Sequence, residues 1–221
     1  MREQTITKTV FTFDELSDRA KENARDWYRE ASSLDFADFS ADCVLEDAAR
    51  LAALFGLNIN TRPVKLMGGG TRQEPNVYWA VESRDAGASY AGWYGYAKGS
   101  VAKVAAEAPA EYNGTVQKQN AELNRIVQTL ADVQRRNFYR VQASVDHARN
   151  VYNGVTVEVE RSDDVTISDA DREAVTEALQ DFASWIHRQL EAEWEYRQSN
   201  ECVDEDIRAN EYEFDEDGRR A

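Results

Sequence analysis

The sequence predicts an α+β fold, a mainly antiparallel sheet of about five strands packed by long helices and ending in an acidic helix and tail. Three observations carry that prediction. Apolar residues recur at helical spacing in several long stretches, most clearly at Leu123, Ile126, Val127, Leu130 and Val133. The period then changes to two. Tyr139, Val141, Ala143 and Val145 alternate with polar residues, as do Val155, Val157 and Val159. No internal repeat or long linker interrupts the 221 residues, so 1–221 reads as one domain.

The elements follow in order. Thr5 to Phe13 alternates and contains β-branched residues, which predicts a first strand. Ser17 is placed as an N-cap, and Ala20, Ala24, Trp27, Tyr28 and Ala31 mark a helix to about Ser32. A second helix starts near Ser40, buries Val44, Leu45, Ala48, Leu51, Ala52 and Phe55, and stops at Gly56. Cys43 is expected to be buried on it. Residues 57–66 alternate, but Pro63 restricts them to an edge or broken strand. Gly68-Gly69-Gly70 makes a turn. Val77 to Val81 and Ala88 to Tyr96 are strands around a turn at 84–87, with a bulge or bend near Gly92. Helices are predicted over 97–108, stopped by Pro109, and from Thr115 to Arg136. The alternating segments at 139–160, on either side of a turn at 147–150, form a hairpin or an adjacent strand pair with one face buried. Ser168 caps the last long helix, whose inner face carries Val175, Leu179, Phe182, Ile186 and Leu190. A short helix at 202–209 and a short strand at Tyr212 and Phe214 finish the chain.

Charge separates along this order. The chain holds 41 acids against 26 bases, net −15. Residues 162–221 hold 19 acids and 6 bases, while 1–161 are close to neutral with 22 and 20. That balance excludes a basic nucleic-acid binder and disfavours an anionic membrane surface. The first residues have no apolar core of a secretory signal, and no run approaches the ~20 apolar residues of a membrane helix. A cytoplasmic protein is expected. Cys43 and Cys202 are too few and too far apart for a disulfide framework. With His147 and His187 they show no zinc-ligand spacing, so neither metal nor cofactor is expected.

Two groups of residues are candidates for function. On the last helix Asp169, Glu173, Glu177 and Asp181 recur at i+4, one carboxylate about every 6 Å along the stripe opposite the apolar one. Like charges at this spacing destabilise a helix by roughly 0.2–0.5 kcal/mol per pair, which a basic partner would relieve. DNA phosphates also form regular rows met by Lys and Arg, so such a stripe can occupy a nucleic-acid-binding surface as a decoy. Asp204, Glu205, Asp206 and Glu213 continue the sign to the end, and Tyr212 and Phe214 anchor that tail. The face spanning 169–217 is therefore the first candidate for a partner.

The second group lies at predicted strand turns: Asp85, Ser89, Tyr90, His147 and Tyr152, a possible ligand pocket. Asp146 and His147 point to opposite sides of their strand, so acid–base work would need a partner such as Tyr152 or Glu213. The aromatics Tyr78, Trp79, Tyr90, Trp93, Tyr94 and Tyr96 offer stacking faces, though aromatic strands commonly form core. The triple glycine is followed by Thr71-Arg72-Gln73-Glu74-Pro75, with neither the lysine nor the helix of a phosphate loop. No nucleophile elbow, HExxH, CxxC or kinase set occurs.

The segments FTFDELSDRAKENARDWYRE, GASYAGWYGYAKGSV, QRRNFYRVQASVDHARNVYN, FASWIHRQLEAEWEY and VDEDIRANEYEFDEDGRR together resemble a family of bacteriophage and prophage proteins. That family is loosely labelled "antitoxin of a toxin–antitoxin stability system". The chain departs from it in the 83–89 turn, where Asp85 is offset from the family's acid, and at Asn153, near which the family often has a histidine. The resemblance implies a phage protein acting in the cytoplasm of an infected bacterium. Combined with the acidic segment, it leads to the expectation of a non-enzymatic inhibitor of a host or defence protein with a basic surface, a nucleic-acid-handling one. The alternatives are neutralisation of a toxin and a small-ligand or metal-dependent enzyme at the strand turns.

Overall fold

A computed structural model describes residues 8–35, 39–109, 115–148, 154–163 and 165–221. They fall into two compact units. One runs from Ala41 to Glu191, and the other combines the chain up to Ser40 with Ala192–Ala221.

The Ala41–Glu191 unit contains α2 (Ala41–Leu54), β2 (Leu57–Ile59), β3 (Thr61–Lys65), β4 (Thr71–Pro75), β5 (Val77–Ala80), β6 (Gly87–Tyr90) and β7 (Gly92–Tyr94). It continues with α3 (Ser100–Glu107), α4 (Thr115–Arg136), β8 (Val141–His147), β9 (Val155–Arg161) and most of α5 (Asp169–Gln198). The expected α+β class holds, with every strand pair antiparallel. The strands are spread over more than one sheet. Four form the largest, in the order β2-β7-β8-β9, and β3-β4 and β5-β6 form two ribbons.

Backbone bonds join the ribbons to that sheet. Asn60 N–H donates to the Ala91 carbonyl at 2.8 Å, and Ala91 N–H donates to that of Asn76 at 3.2 Å. The segment 88–96 is thus two strands broken at Ala91, because its two halves pair with different neighbours. Thr71–Pro75, to which the sequence pattern assigned no element, is a strand. It is polar and carries no alternation, and its pairing with β3 comes from the glycine turn. Pro63 sits in that two-stranded ribbon, where a missing N–H is tolerated.

Pleating gives the large sheet two faces. The row Leu57, Tyr94, Ala143, Val159 is buried, and the adjacent row Asn58, Trp93, Ser144, Glu158 faces outward. Against the inner face pack α4 and α5. Phe182 meets Phe55 edge-on at 5.2 Å and Tyr90 at 5.7 Å, and it stacks on Trp185 at 5.5 Å. The Tyr90 hydroxyl donates to the Leu179 carbonyl at 2.9 Å, so this phenol is satisfied inside the core. Gly56 ends α2 at φ +89°, where a Cβ would lie 2.0 Å from the Gly95 carbonyl oxygen. The helix stop and the close approach of β7's continuation therefore both require glycine. Cys43 is exposed on α2, because it lies off the Leu45, Ala48 and Ala52 stripe.

The other unit is built from the two ends of the chain. It contains β1 (Phe11–Thr12), a 3-10 turn at Phe13–Glu15, α1 (Asp18–Asp35), α6 (Asn200–Ala209) and β10 (Glu213–Phe214). Of the strand expected over Thr5–Phe13, residues 5–7 lie outside the described residues and only Phe11–Thr12 is strand. It pairs with β10, Phe11 opposite Phe214. Phe13, Leu16, Ala20, Ala24, Val203, Ile207 and Phe214 form the core, flanked by Trp27 and Tyr212. The acidic tail is thus docked by its aromatics, as expected. Ser17 and Ser199 act as N-caps, accepting from the N–H of Ala20 at 3.3 Å and of Cys202 at 3.2 Å.

Candidate functional site

The carboxylate stripe begins at a capped helix terminus. The Ser168 hydroxyl accepts from Asp171 N–H at 3.2 Å and starts α5. The helix lies along the edge of β9. Arg172 donates to the Val159 carbonyl at 2.9 Å and Gln180 to that of Val155 at 3.4 Å, covering carbonyls of an edge strand. This contact fixes which side of α5 faces inward. Asp169, Glu173 and Glu177 lie on the outward side, exposed, and form no ion pair among the described residues. Glu158 and Glu160, outward on β9, are likewise exposed. The flanking acids differ. Asp181 pairs with Arg125 at 2.6 Å. Asp171 accepts from Arg136 at 2.7 Å and from Asn137 at 2.9 Å. Burial pushes the Asp171 carboxyl up, but the bonds from Arg136, Asn137 and Ser168 outweigh it and hold it below the usual range.

The remaining predicted acids belong to the unit built from the chain ends, and two of them are engaged inside it. Asp204 takes two bonds from the Arg25 guanidinium, at 2.6 and 2.8 Å, with only 16% of its side chain exposed. Asp206 accepts from the Tyr28 hydroxyl at 3.1 Å. Glu205 and Glu213 remain exposed. Asp169, Glu173 and Glu177 thus form no ion pair on this stripe, although the Arg125 charge also acts on Glu177, while Asp204 and Asp206 belong to the other unit and are bonded inside it. Arg25 reaches Asp204 from a helix some 180 residues earlier, and no local pattern signals that pairing.

At the strand turns, the Ser89 hydroxyl lies 2.8 Å from His147 Nδ1, joining β6 to the end of β8. The His147 ring packs edge-on against Tyr78 at 4.7 Å, and the Arg62 guanidinium sits 5.0 Å from the centre of the same Tyr78 ring. Burial holds His147 below the ordinary histidine value. The Arg62 charge acts in the same direction and Asp146 opposes both, and the balance favours the neutral ring. Asp85 is exposed in the 81–86 turn. Tyr90 faces the core, on the opposite side of β6 from Ser89, and burial pushes its phenol upward. Tyr152 lies outside the described residues.

Arg62 was absent from the sequence-based candidates, and Tyr78 stood among them only as a stacking aromatic, apart from the pocket at the strand turns. Tyr78 was recoverable, because a hairpin centred on the 81–86 turn pairs it with Ser89. Arg62 comes from another ribbon and leaves no local signal. His187 is tied to the Ala80 carbonyl at 3.1 Å, at the edge of the core.

Among the described residues no group of three His, Cys, Asp or Glu side chains is placed to hold a metal ion. No described helix is long and apolar enough to cross a membrane.

Residues 41–200 match the family described as a domain of unknown function (DUF8835). That match covers most of the chain, and the chain belongs to this family. It begins where the Ala41–Glu191 unit begins and takes in all of α5. No curated protein and no solved structure matches the chain.

Proposed function

We propose that this member of the DUF8835 family is a non-enzymatic, phage-encoded protein that binds and inhibits a host or defence protein through the α5 stripe Asp169, Glu173 and Glu177. The observation that carries the reading is the contrast on one helix. Asp171 and Asp181 are compensated by Arg136 and Arg125, whereas the three acids between and beside them face outward without an ion pair among the described residues. Like charges at i+4 cost the helix stability, and the helix dipole offsets that cost only for Asp169 in the first turn. A partner with a basic surface, such as a nucleic-acid-handling protein, compensates such a row and gains orientation from it. Acids in this arrangement also mimic the spacing of phosphates along a nucleic-acid backbone. The site of action is the cytoplasm of the infected bacterium, where such a partner resides. Neutralisation of a toxin is the alternative and uses the same binding physics with a different partner.

The test is capture from host lysate across a salt series, with wild-type protein and with the triple variant Asp169→Asn/Glu173→Gln/Glu177→Gln. The reading expects a basic partner retained at low salt, released at high salt, and absent from the triple variant. If no salt-sensitive partner is retained, or the triple variant retains it equally, the reading fails.

A further inference from the structure

The Arg62–Tyr78–His147 cluster has a property that the acidic stripe does not explain. His147 Nε2 and Arg62 Nε are both buried, and neither has a hydrogen-bond partner. Each flanks the same Tyr78 ring, and each of the three residues keeps part of its surface in solvent. Native proteins pair nearly all buried polar atoms, because leaving one without a partner forfeits its hydration with nothing in return.

The chemistry of the two nitrogens narrows what would satisfy them. A guanidinium Nε–H can only donate. The neutral His147 ring has one protonated nitrogen. When the Ser89 hydroxyl donates to Nδ1, the proton resides on Nε2, which is then a donor as well. With the proton on Nε2 the cluster presents two donors, one of them on a permanently charged group with no ion pair among the described residues, and such a pair calls for an acceptor that carries negative charge. The Arg62 charge excludes a metal cation as occupant. Ser89 is fully buried, so its hydroxyl positions the imidazole and is not placed to attack a substrate.

We propose that Arg62 and His147, held around Tyr78 and oriented by Ser89, form a binding site for the oxyanion group of a small ligand, either a phosphate or a carboxylate. Arg62 supplies charge and one bond, His147 supplies a directional bond, and Ser89 is a positioning residue that fixes the tautomer. The site is independent of the α5 stripe and is tested independently of it.

The experiment is nuclear magnetic resonance on the full chain with 15N-labelled histidine and arginine. Inorganic phosphate and acetate are titrated separately, each against sodium chloride at equal ionic strength. The expected result is a saturable movement of the His147 Nε2 and Arg62 Nε resonances with at least one of the two anions, beyond any chloride effect. Which anion acts distinguishes a phosphate-bearing from a carboxylate-bearing ligand. In Arg62→Gln and in His147→Gln the apparent affinity falls about tenfold or more, as expected for loss of a charge-assisted bond. The Asp169→Asn/Glu173→Gln/Glu177→Gln variant keeps the wild-type anion response. Movement no larger than with chloride, the outcome if a water alone fills the gap, overturns the proposal. Unchanged affinity in both folded single variants also overturns it. Should either variant fail to fold, the wild-type titration still decides.

Discussion

Asp171 shows how a single acid on α5 serves the fold while its neighbours do not. It is 15% exposed and bonded to Arg136 and Asn137, and its carboxyl is held below the ordinary value. A depressed carboxyl contributes stability above its unfolded pKa, near 3.9, and loses it as pH falls through the lower folded value. Asp171→Asn is therefore expected to cost about 1–3 kcal/mol at pH 7, with the gap to wild type closing below about pH 4. Urea unfolding at a series of pH values checks this, and a gap that is constant with pH contradicts it. Gly56 is the backbone counterpart. Gly56→Ala forces a left-handed residue to carry a Cβ against the Gly95 carbonyl, and a loss above about 1 kcal/mol is expected in thermal unfolding. Single residues were the least legible level of the sequence. His147 and Ser89 were recognisable as polar residues at strand turns. Their partner Arg62 was not, because its position depends on how two ribbons join.

Among the elements, the helices were read most closely, since the 3.6-residue period and the Ser17 and Ser168 caps are written locally. The strands were harder. Thr71–Pro75 pairs through its ribbon and not through any apolar pattern, and Ala88 to Tyr96 divides because its halves meet different partners. For α5 the like charges fix the sign of one substitution. Glu173 has like charges at i−4 and i+4, so Glu173→Gln should leave the fold intact and raise stability by a few tenths of a kcal/mol, up to about 1. Chemical denaturation measures it. Destabilisation by that substitution would show that Glu173 serves the fold and would weaken its assignment to a partner.

For the whole molecule, the charge takes on a different distribution once the chain is folded. The residues up to Ser40 and from Ala192 hold 20 acids and 10 bases, and Ala41–Glu191 holds 21 and 16. The pairing of the two chain ends through β1 and β10 has no local signature, so the sequence alone suggested one acidic face at 169–217. The structure assigns its first part to one unit and its last part to the other. In the latter, Asp204 and Asp206 are bonded internally. The carboxylates on α5 that form no ion pair, Asp169, Glu173 and Glu177, lie within the family-matched segment.

The most direct measurement is the dissociation constant of the captured partner across a salt series. It is made with wild-type protein and with Asp169→Asn/Glu173→Gln/Glu177→Gln. The account predicts that wild-type affinity falls steeply with salt. The triple variant should bind at least about tenfold more weakly at low salt and show a flatter dependence. Equal affinities and equal slopes for the two proteins would contradict the claim that this stripe is the partner surface.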